Sequence, residues 1–187
     1  LVSGDDGSKD PWEFLRAYDG DLDQGISRVR QGYSRSSDFW SLLKSMKMLA
    51  ATHDPSHWMI SKCAYEQAAD EDISEFHMSI MAKAMMELDP IKTTEYLINE
   101  LKGENHQRLR SALAGMGLIA SREFTSSIVG FMENPPAASA NNPYPPSYYF
   151  KDGEPRKVLD YALHRCRGIQ NWKLVRDSGG RYSIIKE

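Results

Sequence analysis

The chain has 187 residues, which suits one domain with a sizeable hydrophobic core. Its formal net charge of −3 removes a global electrostatic drive toward nucleic acid, and no apolar stretch is long enough for a membrane-spanning helix. Nine methionines and many alanines, with few valines, favour helices over sheets. The first residue is Leu1 rather than Met, which suits either removal of a leader or a piece of a longer protein, and no pattern identifies a compartment.

Helix start signals appear early in the chain. Residues 1–9 are polar and contain two glycines, so they are predicted to be a flexible lead-in to a helical domain over residues 10–168. Asp10-Pro11 begins a helix, because Asp caps a helix end and Pro suits the first helical position. A short helix is expected near Leu22–Arg30. A stronger one runs from Ser37 or Asp38 to about Thr52.

Between residues 37 and 134 the helices are predicted to come in pairs. The second helix of each pair begins near Asp54, Asp89 or Ser121, at separations of 35 and 32 residues. Self-similarity with this period is typical of helical-repeat arrays. The apolar stripes predicted for two of these helices are Trp58, Met59, Cys63 and Ala64, and then Phe76, Ile80, Met81, Ala84 and Leu88.

The best-formed pair lies within Glu104–Asn134. Its first helix places Leu109, Ala112, Leu113, Met116 and Ala120 on one face, with Arg108 and Arg110 on solvated faces. The small residues of this helix are predicted to let a neighbouring helix approach closely, rather than to form a ligand loop; they are Ala112, Ala114, Gly115 and Gly117.

The segment Leu109-Arg110-Ser-Ala-Leu-Ala-Gly-Met-Gly117 resembles the apolar-Arg-x-x-Ala…Leu-Gly pattern in the first helix of HEAT repeats. A second apolar helix follows it, as that family requires. The resemblance covers roughly Ser37–Asn134 and extends to Gly168 if the last predicted helix is included, although the earlier pairs lack the Arg and the Gly. It implies an all-α fold, an α-solenoid of antiparallel helix pairs (HEAT-like). An irregular helical bundle is the alternative.

Residues 134–153 interrupt the helical pattern with five prolines and four aromatic residues. A loop this long in a compact domain is typical of a functional or disordered segment. One interpretation is that it docks a partner or closes over a groove, since tyrosine gives large contact area at low entropy cost. The other is that it wraps the flank of the solenoid. The partner-binding residues predicted here are Tyr144, Tyr148, Tyr149 and Phe150.

After Glu154-Pro155 the pattern predicts a helix to about Gly168. Residues 169–187 then contain two alternating stretches on either side of Ser178-Gly179-Gly180, which predicts a small C-terminal β-hairpin or an extended tail. Its apolar residues are expected to pack on the end of the solenoid; they are Trp172, Leu174, Tyr182 and Ile184.

No strong catalytic signature is present, and no cofactor or metal site is predicted. Asp19, Asp21 and Asp23 have the spacing of a calcium loop. Gln24 and Arg30 depart from that pattern, so an acidic helix-capping turn is the favoured interpretation. His53 and His57 have zinc-like spacing, but the Asp54-Pro55 helix start separates their side chains.

Two cysteines, Cys63 and Cys166, lie among apolar neighbours in separate helices, so both are predicted to be buried free thiols, with a disulfide or a reactive thiol as the alternative. The acids Glu66, Asp70, Glu71 and Asp72 are predicted to form a solvated helix end.

The leading hypothesis is a non-enzymatic helical-repeat scaffold that binds a protein partner. The resemblance also implies an alternative, a nucleic-acid-binding protein of the HEAT-like DNA-glycosylase type. A third possibility is an accessory domain of a larger enzyme. The alternative requires basic residues in one groove, and the candidate basic patch is Arg156, Lys157, Arg165 and Arg167. Because Arg165 and Arg167 flank a cysteine predicted to point inward, the pattern favours the protein partner.

Overall fold

The computed structural model describes residues 21–34, 38–71, 73–134 and 161–166, and only the backbone of residues 172–176 and 182–186. Helices dominate this part of the chain, as predicted. The predicted lead-in, the helix start at Asp10-Pro11 and almost all of the Pro/Tyr-rich loop lie outside the described residues.

The described helices have the following bounds: α1 Leu22–Gln31, α2 Phe39–Ala51, α3 Trp58–Asp70, α4 Glu75–Leu88, α5 Pro90–Glu100, α6 His106–Ile119, α7 Thr125–Glu133 and α8 at residues 161–166. Short 3-10 turns at Pro55–His57 and Arg122–Phe124 lead into α3 and α7. None of these helices has the length and apolarity needed to cross a bilayer.

Aspartate caps begin the helices at the predicted places. The Asp38 carboxylate accepts a hydrogen bond of 3.0 Å from the Trp40 backbone N–H at the start of α2. Asp54 accepts one of 2.9 Å from Ser56, and Asp89 accepts one of 3.0 Å from Lys92. Each cap satisfies a backbone donor that has no partner within the helix. The predicted starts of α2, of the turn before α3 and of α5 are therefore confirmed.

Every second helix joins one row, in which α2, α4 and α6 pack side by side with α4 in the middle. The contact between α4 and α6 is the most extensive and depends on small residues. A Cβ atom added at Gly115 would lie 2.6 Å from the Cβ of Ala82 on α4. A Cβ at Gly117 would collide with the ring of Tyr161 on α8. The prediction that these glycines permit close helix approach is confirmed.

The other two central helices, α3 and α5, are joined mainly by side chains. The indole Nε1 of Trp58 donates a buried hydrogen bond of 2.8 Å to Thr93 Oγ1. The ring of Tyr96 stands edge-on to Trp58 and to Tyr65, with centroid separations of 6.4 Å and 5.9 Å. Because the backbones of α3 and α5 are not in close contact, these aromatic side chains connect the two helices.

Two apolar residues predicted to be buried in α3 are exposed. Met59 is 59% exposed, and Cys63, one turn later, is exposed as well. The inward face of α3 is formed instead by Trp58, Ala64, Tyr65 and Ala68. Since residues four apart share a helix face, Met59 and Cys63 turn outward together. The prediction for Cys166 is confirmed: its thiol is buried and lies 3.3 Å from the Met116 carbonyl oxygen.

The C-terminal residues contain two short strands, β1 Trp172–Arg176 and β2 Tyr182–Lys186. They pair antiparallel, with Trp172 opposite Lys186. The predicted packing of their apolar side chains on the helical domain lies outside the described residues.

Candidate functional site

The first turns of α2 and α4 bring four ring side chains together. The Asp38 cap places Phe39 and Trp40 at the start of α2, and Ser74 precedes Phe76 and His77 in α4. Because α2 and α4 pack side by side, the two pairs meet. We call Phe39, Trp40, Phe76 and His77 the aromatic surface.

His77 is the centre of the aromatic surface. Its ring centroid lies 5.0 Å from that of Phe39, 5.1 Å from that of Trp40 and 5.6 Å from that of Phe76. The Trp40 and Phe76 contacts are edge-on, a favoured geometry for aromatic pairs. A hydrogen-bond contact of 2.8 Å between His77 Nδ1 and Ser74 Oγ fixes the imidazole ring. The cluster therefore has a defined shape.

Two rings of this surface are open to solvent. Trp40 is 57% exposed and Phe76 is 61% exposed. Contiguous exposed apolar patches often mark interaction sites, and these two rings contact the same imidazole, that of His77. The aromatic surface is therefore the candidate functional site among the described residues.

The sequence pattern missed this surface. Phe76 was predicted to lie on the buried stripe of α4, but burial in α4 begins only at Met78. Phe76 lies in the first turn of α4, at the edge of the packed core, and its ring is exposed although Glu75 and His77 of the same turn contact α6 and α2. His77 looked like an isolated histidine, because its partners Phe39 and Trp40 are distant in sequence. Only the pairing of α2 with α4 reveals the cluster.

Positive charge lies beside the aromatic surface. Lys47 on α2 is only 7% exposed, and burial lowers the pKa of its ammonium group to about 8. The pKa of His77 is lowered by burial and, to a smaller extent, by the charge of Lys47. His77 is therefore neutral near pH 7, while most of Lys47 carries its proton. Lys44, one turn after Trp40, is exposed.

A second cluster is polar and joins α3 to α6. Arg108 binds the Asp70 carboxylate through two hydrogen bonds, Nε–Oδ1 of 2.8 Å and Nη2–Oδ2 of 2.7 Å. Its Nη1 atom lies 3.4 Å from Glu66 Oε1, which also accepts a bond of 2.6 Å from Lys62. The helix pairing brings these opposite charges together and partly covers Arg108 and Glu66, so their predicted exposure holds only in part, whereas Asp70 and Glu71 are exposed as predicted. Arg110 likewise pairs with Glu75 on α4.

Two buried tyrosines adjoin this polar cluster. The hydroxyl groups of Tyr65 and Tyr96 are shielded from solvent and make no hydrogen bond within standard geometry. Burial, reinforced by the charge of Glu100, raises the pKa of Tyr65. Burial also raises the pKa of the Glu100 carboxyl, against the opposing charge of Arg108. Because solvent does not reach these two hydroxyl groups, we assign the polar cluster a structural role, which is to connect α3 to α6.

The ion pair between Arg108 and Asp70 predicts a pH-dependent stability. Hydrogen bonding to Arg108 lowers the pKa of Asp70, so the paired state adds stability at neutral pH that is lost as the pH falls below about 4. We expect Asp70→Asn to lower the free energy of unfolding by about 1 kcal/mol at pH 7, a low value for a charged hydrogen bond because the Asp70 side chain is 42% exposed.

Urea denaturation at pH 7 and at pH 3 measures this effect. The difference between the wild type and Asp70→Asn should shrink at the lower pH, because Asp70 has the higher pKa in the unfolded chain, which therefore takes up the proton first. Glu95→Gln, at an exposed position of α5, is the matched control and should change little at either pH. An equal loss at both pH values would contradict the assigned role of the ion pair.

A groove of about 410 Å³ opens between α5 and α7. It is lined by Ile98, Leu101, Lys102, Ser127, Gly130, Phe131 and Asn134. Most of this lining is apolar, and Asn134 immediately precedes Pro135-Pro136 in the chain. The groove carries no cluster of ionisable groups that would indicate chemistry.

Most residues predicted to form a site lie outside the described residues. The aromatic residues Tyr144, Tyr148, Tyr149 and Phe150 lie outside the described residues, as do Arg156, Lys157 and Arg167. Arg165 is the described member of the predicted basic patch. Its Nε donates a hydrogen bond of 3.4 Å to the Gly117 carbonyl oxygen at the end of α6.

The residues with metal-like spacing have separate partners. His53 lies outside the helices, with its Nδ1 atom 3.2 Å from the Glu87 carbonyl oxygen. The His57 ring instead faces the Asp54 carboxylate at 3.8 Å. Asp21 caps α1 by accepting a hydrogen bond from the Asp23 backbone N–H, as expected for a helix-capping turn. The described residues contain no group of three His, Cys, Asp or Glu side chains suited to a metal ion.

Comparison of the chain with known proteins gives no guide to its role. No family model matches it, and neither the curated proteins nor the solved structures contain a significant match. Its function must therefore be inferred from the residues and their geometry.

Proposed function

We propose that the chain is a non-enzymatic helical-repeat scaffold that binds a protein partner through the aromatic surface. The observation that carries the proposal is the exposure of Trp40 and Phe76 within one fixed ring cluster. Aromatic side chains supply large contact areas with few rotatable bonds, so they are common anchors at protein interfaces.

The order of helix contacts supports a solenoid of the HEAT-like kind. The first helices of successive pairs, α2, α4 and α6, pack side by side, and α8 touches the end of α6 through Gly117. The second helices flank this row. A solenoid of this kind offers extended surfaces for partners without a buried site. In this proposal the C-terminal strands form a hairpin at the end of the array, and Tyr144, Tyr148 and Tyr149 provide a further partner contact.

The nucleic-acid-binding alternative has less support among the described residues. The Arg165 guanidinium donates to a backbone carbonyl at the end of α6 instead of lining a groove together with other basic side chains. The net charge of −3 also opposes binding to a polyanion. The role of an accessory domain in a larger enzyme is compatible with the scaffold, since such a domain would also bind a protein.

Affinity capture from a lysate of the source cells tests the proposed function. The bait proteins are the wild type, the double variant Trp40→Ala/Phe76→Ala, and the control Met59→Ala/Ile91→Ala, which removes two other exposed apolar side chains. Quantitative mass spectrometry should find proteins that the wild type and the control retain and the aromatic-surface variant loses by about tenfold or more, as expected for removal of two anchors. Equal capture by all three baits would reject this surface as the binding site.

A further inference from the structure

The charges around the aromatic surface indicate what kind of protein segment it accepts. Lys44 lies one helical turn from Trp40 and is exposed, so both side chains occupy the same face of α2. Lys47 lies a further turn along α2, close enough for its charge to act on His77. Arg28 reaches the same end of α2, where its Nη2 atom donates a hydrogen bond of 2.9 Å to the Asp38 carbonyl oxygen.

Two acidic groups of the described residues lie beside this surface, and both have partners. The Asp38 carboxylate accepts the Trp40 backbone N–H as the cap of α2. The Glu75 carboxylate, next to Phe76, forms an ion pair with Arg110 of α6. Lys44 and Lys47 take part in none of the ion pairs found among the described residues. Among the described residues, Arg28, Lys44 and Lys47 therefore outnumber Asp38, which caps α2 but is still charged, so the charge beside the rings is positive although the whole chain is negative.

We propose that the aromatic surface docks an acidic segment of a partner protein, whose apolar anchor packs on Trp40 and Phe76 while a carboxylate pairs with the exposed Lys44. This inference rests on the proposed function and specifies its partner. Complementary charge speeds association and excludes segments of the wrong sign. The buried Lys47 makes no contact with the segment but adds to the positive potential beside the rings, since its charge is screened less where solvent is excluded.

A peptide fits this surface better than nucleic acid does. A nucleic acid presents a phosphate at every nucleotide and is held by a row of exposed cations. Here Lys44 is exposed, whereas Lys47 is almost entirely buried within the helix pair. One carboxylate beside an apolar anchor matches the single exposed lysine, and a continuous polyanion does not.

Fluorescence anisotropy with three labelled peptides tests the inference. Each peptide carries the same Leu-Phe anchor, flanked by Glu, by Gln or by Lys. The Glu peptide should bind the wild-type chain about tenfold more tightly than the Lys peptide, and added salt should reduce this difference by screening. Equal binding of the three peptides, a preference for Lys, or no binding of the Glu peptide would overturn the proposal.

Charge-reversal variants test whether Lys44 causes the preference for the Glu peptide. Lys44→Glu should weaken binding of the Glu peptide by about tenfold or more and favour the Lys peptide. Lys102→Glu makes the same change at an exposed position beside the groove between α5 and α7, and should leave binding unchanged. Both lysines are exposed, so thermal unfolding should show intact folds. Equal effects of the two reversals would overturn the proposal.

Two further results separate the inference from the proposed function. If a dT oligonucleotide binds the wild type and Trp40→Ala abolishes that binding, the surface recognises nucleic acid, and both proposals fail. If Trp40→Ala/Phe76→Ala loses its captured protein partner while the peptides show no charge preference, the scaffold function stands and the acidic-segment inference fails.

Discussion

Trp58→Ala is expected to lower the free energy of unfolding by about 3–5 kcal/mol, the usual range for truncation of a large buried aromatic side chain. The Trp58 side chain contributes to the junction of α3 and α5 in two ways. Its ring packs edge-on against Tyr96, and its Nε1 atom is bound to Thr93. Since the backbones of α3 and α5 are not closely packed, neighbouring residues are poorly placed to fill the resulting cavity. Chemical denaturation measures the loss.

The neighbouring residue provides the control for this prediction. Met59 is also large and apolar, but it faces outward from the same turn of α3. Met59→Ala should change stability by no more than about 0.5 kcal/mol, as is usual for surface substitutions. Thr93→Val tests the hydrogen bond of Trp58 separately from its ring packing. It should lower the free energy of unfolding by about 1–3 kcal/mol, because the indole N–H loses its acceptor. Similar small losses for Trp58→Ala and Met59→Ala would show that α3 and α5 are not joined in this way.

Gly115→Ala is expected to destabilise the fold even though alanine is the better helix former. A Cβ at this position would lie 2.6 Å from the Cβ of Ala82, and neither atom belongs to a flexible side chain that could move aside. The backbones of α4 and α6 would have to separate, and overpacking of this kind typically costs about 1–3 kcal/mol. The gain in helix propensity, about 0.5–1 kcal/mol, offsets only part of that cost. Thermal and urea denaturation report the net loss.

Gly130 is the matched control for Gly115, since both are glycines inside helices. A Cβ at Gly130 would meet no other atom within 4 Å. Gly130→Ala should therefore stabilise the fold by about 0.5–1 kcal/mol, through helix propensity alone. The opposite signs of the two substitutions are the diagnostic result. A stabilising Gly115→Ala would contradict the close packing of α4 on α6.

Local signals in the sequence predicted the helices well. Asp38, Asp54 and Asp89 cap the helix starts, and Pro55 and Pro90 occupy first helical positions. These signals act within a few residues, so they can be recognised without knowledge of the tertiary structure. The role of Gly115 was also predictable, because a helix rich in small residues needs a close neighbour. The identity of that neighbour, α4, was not.

Contacts between distant residues could not be predicted. The bonds from Arg108 to Asp70 and from Trp58 to Thr93 join residues 38 and 35 positions apart, and each depends on how whole helices pack. Helical periodicity also misplaced Phe76, since a stripe shows which residues share a face and not where the neighbouring helix ends. The aromatic surface lies where α2 and α4 begin. Phe76 precedes Met78, the first buried residue of α4, so its place on the apolar stripe did not reveal that it is exposed.

Amide hydrogen exchange on the complex with a captured partner tests most directly the claim that the aromatic surface is the binding site. The free and bound chains should differ most at residues 39–47 and 75–80, where the partner would cover the first turns of α2 and α4. Contacts of the Pro/Tyr-rich segment would add protection at residues 134–153. A bound partner that leaves the amides at the start of α2 and α4 unchanged would contradict the claim.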